Sequence, residues 1–345
     1  MLRNNLSKAI GLTVLAIILV ALPFALREYY VDVVTMLLIN VILVVSFRLI
    51  TTIGAWSLAH IPMMGAGAYA TALMTGALGW PFWLTLPLAG LAAALIGLAM
   101  SYPLVRTKGF AFFVASFAAG DAMRLCWMRF KVPFGGHRGL TNIPFPEAIP
   151  IPGLRTIDFS DAIPYYFLAL VVTVLCLLIM YRLDKSRIGD TLKAINSQDS
   201  LAMSVGINIT QYKILAFVIG SFFAGIAGVL LAHRLWAVEP QQFGFGTTVY
   251  LLVWVVFGGT HTFAGPIIGV TVLTVLGELL DPFVEWVPMI YGAILILTLL
   301  FLPDGLEGLP RRLAWLGKVK ISFEMRPGEI RQPVGLPGEL REPSS

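Results

Sequence analysis

Ten apolar runs, most of them long enough to cross a bilayer as a helix, leave this chain few folds to adopt. They cover residues 9–26, 31–52, 58–78, 81–103, 109–128, 163–181, 212–233, 247–259, 262–280 and 286–302. A helix needs about 20 apolar residues to cross ~30 Å of hydrocarbon. In lipid the backbone must satisfy its own N–H and C=O groups, which restricts spanning structures to helices and closed barrels. Of 345 residues, 58% are hydrophobic and 12% charged, against about 45–50% and 25% in soluble domains. The expected fold class is an all-α polytopic membrane protein with about ten transmembrane helices, one of them short or broken. The break is expected at "GGTHTFAGP" (258–266), between the eighth and ninth runs, where Gly-Gly and Gly-Pro interrupt a stretch too long for one straight span.

The net charge of +5 and pI near 9.2 do not point to nucleic acid, because the basic residues cluster in short loops between apolar runs. With the N-terminus inside and ten crossings, fourteen of the Lys and Arg up to Lys320 fall on the inner side and six on the outer. The inner group includes Arg48, Arg106, Lys193 and the Arg311–Lys320 cluster; the outer one is Arg27, Arg129, Lys131, Arg138, Arg155 and Arg234. That bias sets the orientation, with both termini cytoplasmic. Nine crossings would put the Arg311–Lys320 cluster outside. Residues 1–310 therefore read as the transmembrane domain, and 311–345 as a basic cytoplasmic tail expected to be disordered. No A-x-A site follows the first run, so it is expected to be retained as a helix. Cys126 and Cys176 lie in apolar segments and read as small buried hydrophobes.

The inner loop at 182–211 is longer than a hairpin requires. Ile188, Leu192 and Ile195 have the spacing of a helical stripe, which Asn196–Gln198 break. Asp199 or Ser200 suits an N-cap, and Gly206 stands where a left-handed C′ residue belongs. Two short amphipathic helices joined by a bend are expected. They would lie on lipid headgroups or dock a cytoplasmic partner; docking is favoured, because the stripe lacks the Trp or Phe anchors of an interfacial helix.

Within that loop, "GDTLKAINSQDSLAMSVGIN" (189–208) resembles the "GRALRAIRENEIAAESLGIN" pattern of the coupling loop in LivM-type permeases of branched-chain amino acid ABC importers. Gly189, Leu192, Ala194, Ile195, Ala202, Ser204, Gly206, Ile207 and Asn208 match, and Asp199 keeps an acid where Ser197 and Met203 replace two others. Similar likenesses follow in order: "SLAHIPMMGAGAY" (57–69), "ASFAAGDAMR" (115–124), "FGGHRGLTNIP" (134–144), "FGGTHTFAGPIIG" (257–269) and "LPDGLEGL" (302–309). Asp121 in place of Glu and His261 in place of Gly depart from the family pattern.

The resemblance implies a permease subunit in the bacterial cytoplasmic (inner) membrane, importing branched-chain or related amino acids. It also implies a second permease subunit, two cytoplasmic ABC ATPases and a periplasmic solute-binding protein. Gly189, Leu192, Ile195, Asp199, Leu201, Ala202, Val205 and Gly206 would then couple to the ATPase. A loop of capped helices can pass on a push that a flexible link would absorb. With no G-x-x-x-x-G-K-[ST] loop in the chain, ATP would be bound by partner subunits, and no cofactor or metal is expected here.

Six residues are candidates for the translocation path: His60, Gly65, Gly67, Asp121, Arg124 and His261. Asp121 and Arg124, three apart on one helical face, would hold the charged ends of an amino acid or pair with each other; self-pairing is favoured. His60 reads more readily as a buried, hydrogen-bonded histidine than as a gate. Gly65 and Gly67 suit close helix packing, and His261 lies in the break, where it could line a cavity. The run Gly135–Gly139 suits either a binding-protein contact or a simple turn. The rival functions are a secondary transporter or channel acting alone, which would call for mid-membrane carboxylates and inverted repeats, and a membrane enzyme, for which the usual motifs are missing.

The charge count makes a direct prediction about sidedness. In a background lacking Cys126 and Cys176, an impermeant thiol reagent applied outside should label Glu147→Cys but not Ser197→Cys or Ser344→Cys. Labelling at Ser344→Cys would rule out an even number of crossings.

Overall fold

The computed structural model describes residues 2–107, 109–149, 157–302 and 304–309. The chain divides into two units, 1–307 and 308–345, and of the second only residues 308 and 309 are described. The expected tail at 311–345 lies outside the described residues.

Twelve α-helices are present among the described residues. In chain order they are α1 (Leu2–Ala25), α2 (Glu28–Thr51), α3 (His60–Gly76), α4 (Phe82–Leu104), α5 (Phe110–Arg129) and α6 (Ala162–Asp184). Then come α7 (Arg187–Ser197), α8 (Asp199–Ser204), α9 (Ile209–Leu235), α10 (Phe245–Gly258), α11 (Gly265–Leu279) and α12 (Val287–Phe301). Each of the ten apolar runs carries one helix, and the inner loop supplies the other two. Six are long and apolar enough to cross a membrane unaided: α2, α4, α5, α6, α9 and the segment that begins at Val287. With 14 and 15 residues, α10 and α11 reach only about 21–23 Å at 1.5 Å per residue.

The core forms around α9, which packs against α2, α3 and α4. Helices in lipid gain little from excluding hydrocarbon, so their association rests on close packing. Here small residues bring backbones together. A Cβ on Gly67 of α3 would collide with the carbonyl and Cα of Gly225 in α9, and one on Gly228 with the Met64 carbonyl in α3. A Cβ on Gly225 would stand 2.6 Å from the Ala93 side chain and 3.1 Å from Gly90 Cα in α4.

At one end of the bundle, the two-residue strands β1 (Leu140–Thr141) and β2 (Ala237–Val238) pair antiparallel and fasten the long loop after α5 to the end of α9. Buried His233 of α9 completes that anchor. Its Nδ1 lies 2.6 Å from the Pro144 carbonyl oxygen and Nε2 3.0 Å from Thr71 Oγ1. A carbonyl only accepts, so Nδ1–H donates and Nε2 accepts from the Thr71 hydroxyl.

Gly67→Val should therefore destabilise the bundle by about 1–3 kcal/mol or more, as overpacking does. Gly76→Ala, at the exposed end of the same helix where an added Cβ meets nothing within 4 Å, should be neutral or slightly stabilising. Thermal unfolding of the detergent-solubilised chain distinguishes the two, and equal midpoints would contradict the packing account.

Candidate functional site

The inner loop folds into a two-helix unit with a small core of its own. Ser186 is extended and leads into α7, whose first turn passes so close to α6 that a Cβ on Gly189 would strike the Asp184 carbonyl. Leu192 and Ile195, each 1% exposed, pack with Leu49 of α2, Ile53 just beyond it, Ala202 of α8 and Ala216 of α9. Gln198 is extended (φ −161°, ψ 102°) and serves as both the C-cap of α7 and the N-cap of α8. The expected cap at Asp199 or Ser200 thus falls one residue earlier, because a single residue separates the helices.

At the other end of α8, the Gly206 N–H donates to the Met203 carbonyl at 2.9 Å and the Ile207 N–H to the Ala202 carbonyl at 3.1 Å. This 5→2 and 6→1 pair is a Schellman stop, and Gly206 takes φ +83°. Asn208 then caps α9, its Oδ1 accepting from the Gln211 N–H at 3.2 Å. Asp199 lies 3.6 Å from Lys213 of α9.

The four apolar residues expected to meet a partner divide. Leu192 and Ile195 are spent inside the chain, on α2 and α9. Leu201 and Val205 are 63% and 76% exposed, and Met203 beside them is exposed too. The stripe revealed which residues share a face, but not that α2 would cover it.

A buried ionic cluster sits beside α7. Arg48, 3% exposed within α2, donates from Nη1 to Asp184 Oδ1 at 3.0 Å, and Lys193 of α7 approaches Asp184 Oδ2 at 3.4 Å. Counting charges placed Arg48 among the inner-loop cations; the signal that sets it apart is its position inside the run 31–52, three residues before α2 ends.

The path candidates do not converge. His60, at the start of α3, is wholly buried, with Nε2 2.9 Å from Ser46 Oγ. Gly65 faces Trp127 and Phe243, and Gly67 faces α9. His261 is largely exposed, 3.7 Å from Asp304. Asp121 and Arg124 pair with each other at 2.6 Å, both side chains about a quarter exposed. They lie in α5, which buries only Phe112, Ser116, Gly120 and Trp127. Cys126 is exposed on that helix, contrary to expectation, whereas Cys176 is buried; α5 has few neighbours in this chain to cover it.

Two cavities among the described residues flank the bundle, and none of these six residues lines either. One of about 680 Å³ lies beneath the α7–α8 bend, lined by Gly54, Trp56, Phe110, Asn196, Asp199 and Lys213 among others. The other, about 890 Å³, is bounded by Arg129, Lys131, His137 and Arg138 on the outer loop. There Gly135, Gly136 and Gly139 all take positive φ, forming a tight turn.

The family model described as branched-chain amino acid transport system / permease component matches residues 29–302. Two proteins named high-affinity branched-chain amino acid transport system permease protein LivM, from Salmonella typhimurium and Escherichia coli, are 29% and 28% identical, each over 89% of this chain and 77% of their own length. The LivH permease protein of Salmonella typhimurium is 31% identical over 45% of this chain and 49% of its own. No solved structure matches the chain. The family match starts in α2 and ends just past α12, taking in the α7–α8 unit and the break after α10, and so this multi-pass membrane protein belongs to the family of branched-chain amino acid transport system permease components.

Proposed function

We propose that this chain is the membrane-spanning subunit of an ABC importer that carries branched-chain or related amino acids into the cytoplasm, with ATP bound and hydrolysed on separate subunits. The observation that carries the reading is the α7–α8 unit. It is capped at its end, seated on α2 and α9, and leaves Leu201, Met203 and Val205 outward. Such an apolar tip on a rigid mount suits a groove in an ATPase, each side chain contributing ~1.5–3 kcal/mol if fully covered.

The remaining assignments follow the same physical lines. An ion pair open on one side of an apolar span is costly against hydrocarbon. The face of α5 bearing Asp121 and Arg124 therefore belongs against a second permease subunit or the solute path between the two. α1, α3, α10 and α11 complete ten crossings, the short pair α10–α11 being sheltered by neighbouring helices as irregular backbone at membrane depth requires. Both termini are then cytoplasmic in the bacterial inner membrane, and the outer turn at 135–139 faces a periplasmic solute-binding protein.

Three variants test this assignment. Leu201→Asp with Val205→Asp should insert and fold normally but lose co-purifying ATPase and uptake. Gly206→Val should cost ~1–2 kcal/mol through its positive φ, while Gly206→Asn, which tolerates that conformation, should couple nearly normally. An added Cβ at Gly206 meets nothing within 4 Å, so any difference reports backbone conformation and not a clash. Full ATPase assembly and substrate-stimulated turnover in the double Asp variant would remove the docking assignment.

The α5 pair gives a separate test. Asp121→Asn and Arg124→Gln should each lower the yield of folded protein by stranding a charge, by less than the ~3–5 kcal/mol of a fully buried pair, and the double variant should recover part of it. Normal folding with lost uptake would place the pair on the solute path.

A further inference from the structure

Arg48 links three parts of the inner half of the bundle that are far apart in sequence. Besides the Asp184 contact, its Nε donates to the Thr260 carbonyl at 3.1 Å and its Nη2 to the His261 carbonyl at 3.4 Å. Both carbonyls belong to the non-helical break between α10 and α11. The opposite edge of the break is held by Glu307, whose carboxylate accepts from the N–H groups of His261 at 2.6 Å and Thr262 at 2.8 Å and also meets the Thr262 hydroxyl. On the α7 side, Lys193 Nζ donates to the Asp184 carbonyl at 2.8 Å while facing its carboxylate. A continuous polar path therefore runs from α7 through Lys193, Asp184 and Arg48 to the break.

We propose that Arg48 is a positioning residue that passes displacement of α7 to the α10–α11 break, setting that break relative to α2 during each transport cycle. The inference rests on the reading of α7–α8 as the ATPase socket. Stability alone is a poor reason for the arrangement, since packed apolar residues often replace a buried ion pair at no loss. Geometry is the better one. A guanidinium offers several donors in a rigid plane, so it can hold a carboxylate and two carbonyls at fixed angles, whereas an ammonium is a compact point charge on a flexible stem. The break has no helical ladder to fix it, and its carbonyl and amide contacts to Arg48 and Glu307 are what tie it down. Movement of the Asp184 end of α6 with α7 would reach the break through the Arg48 hydrogen bonds, beside the edge-on ring contact of Tyr181 with Phe263.

The test uses the assembled transporter in proteoliposomes, with Cys126 and Cys176 replaced. Arg48→Lys keeps a cation for Asp184 but cannot span to both carbonyls. It should assemble with the ATPases and hydrolyse ATP, while import per ATP falls about tenfold, within the usual range of coupling between sites. A thiol reporter at Thr260→Cys should change its labelling rate on nucleotide addition in the parent but not in Arg48→Lys. Unchanged import per ATP together with an unchanged labelling response would overturn the proposal. Should Arg48→Lys fail to fold, Lys193→Met severs the path at its exposed end, and an unaltered import ratio there overturns it equally. ATPase that never co-purifies with the parent chain would refute the socket itself; assembly with indifferent Arg48→Lys and Lys193→Met refutes only the transmission.

Discussion

Contact between backbones at glycine positions is what the bundle depends on. In water, a core can tolerate loose packing because excluding solvent still stabilises it. Helices already in hydrocarbon lack that term, and their association relies on dispersion over closely matched surfaces. At Gly67, Gly225 and Gly228 the helices come near enough for main-chain atoms to touch. These contacts hold α9 among α2, α3 and α4. Since α9 begins at Ile209, with its cap Asn208 two residues after the Gly206 stop, the same packing fixes one end of the α7–α8 unit. The other end is fixed by α6, through the close passage at Gly189.

The α7–α8 unit is seated between α6 and α9 and packs on both. Leu192 and Ile195 lie against Leu49 and Ile53, in the last turn of α2 and just beyond it. Arg48 is one residue earlier in α2 and points to the α10–α11 break. Apolar packing and the ionic cluster thus occupy adjacent positions of a single helix end. The exposed tip at Leu201 and Val205 is joined to α2 through the Gln198 bend and the packing of Leu192, Ile195 and Ala202.

The fold was legible where one principle decided the outcome. Apolar length placed a helix in each run, the Gly-rich stretch at 258–266 became the break, and Gly206 took the left-handed conformation its place after α8 required. What sequence spacing could not give was the identity of the neighbour on each face. Leu192 and Leu201 are both apolar residues of the same loop, yet one is covered by α2 and the other is bare. Cys126 and Cys176 look alike too, but α6 lies within the bundle and α5 at its edge. Arg48 was treated as a loop charge because counting rules use position near a span end, and burial by α6 and the break depends on tertiary contacts. Nothing in the spacing marks His233 either, because its partner Pro144 lies 89 residues away in the loop after α5.

The break itself shows how ionic groups come to be retained in an apolar bundle. A continuous helix across 247–280 would have satisfied its own backbone at no cost in charge. Interrupting it at Gly258–Gly265 frees carbonyls and amides from the helical ladder, and those that are buried cost free energy unless they find partners. Arg48 takes two carbonyls, and Glu307 takes two amides. Arg48 in turn requires Asp184, and Asp184 draws in Lys193 from α7. Each contact gives a polar group its partner, and together they join a break in one hairpin physically to α7. A straight hairpin would have needed none of these residues, and would have left α7 with no polar connection to α10 and α11.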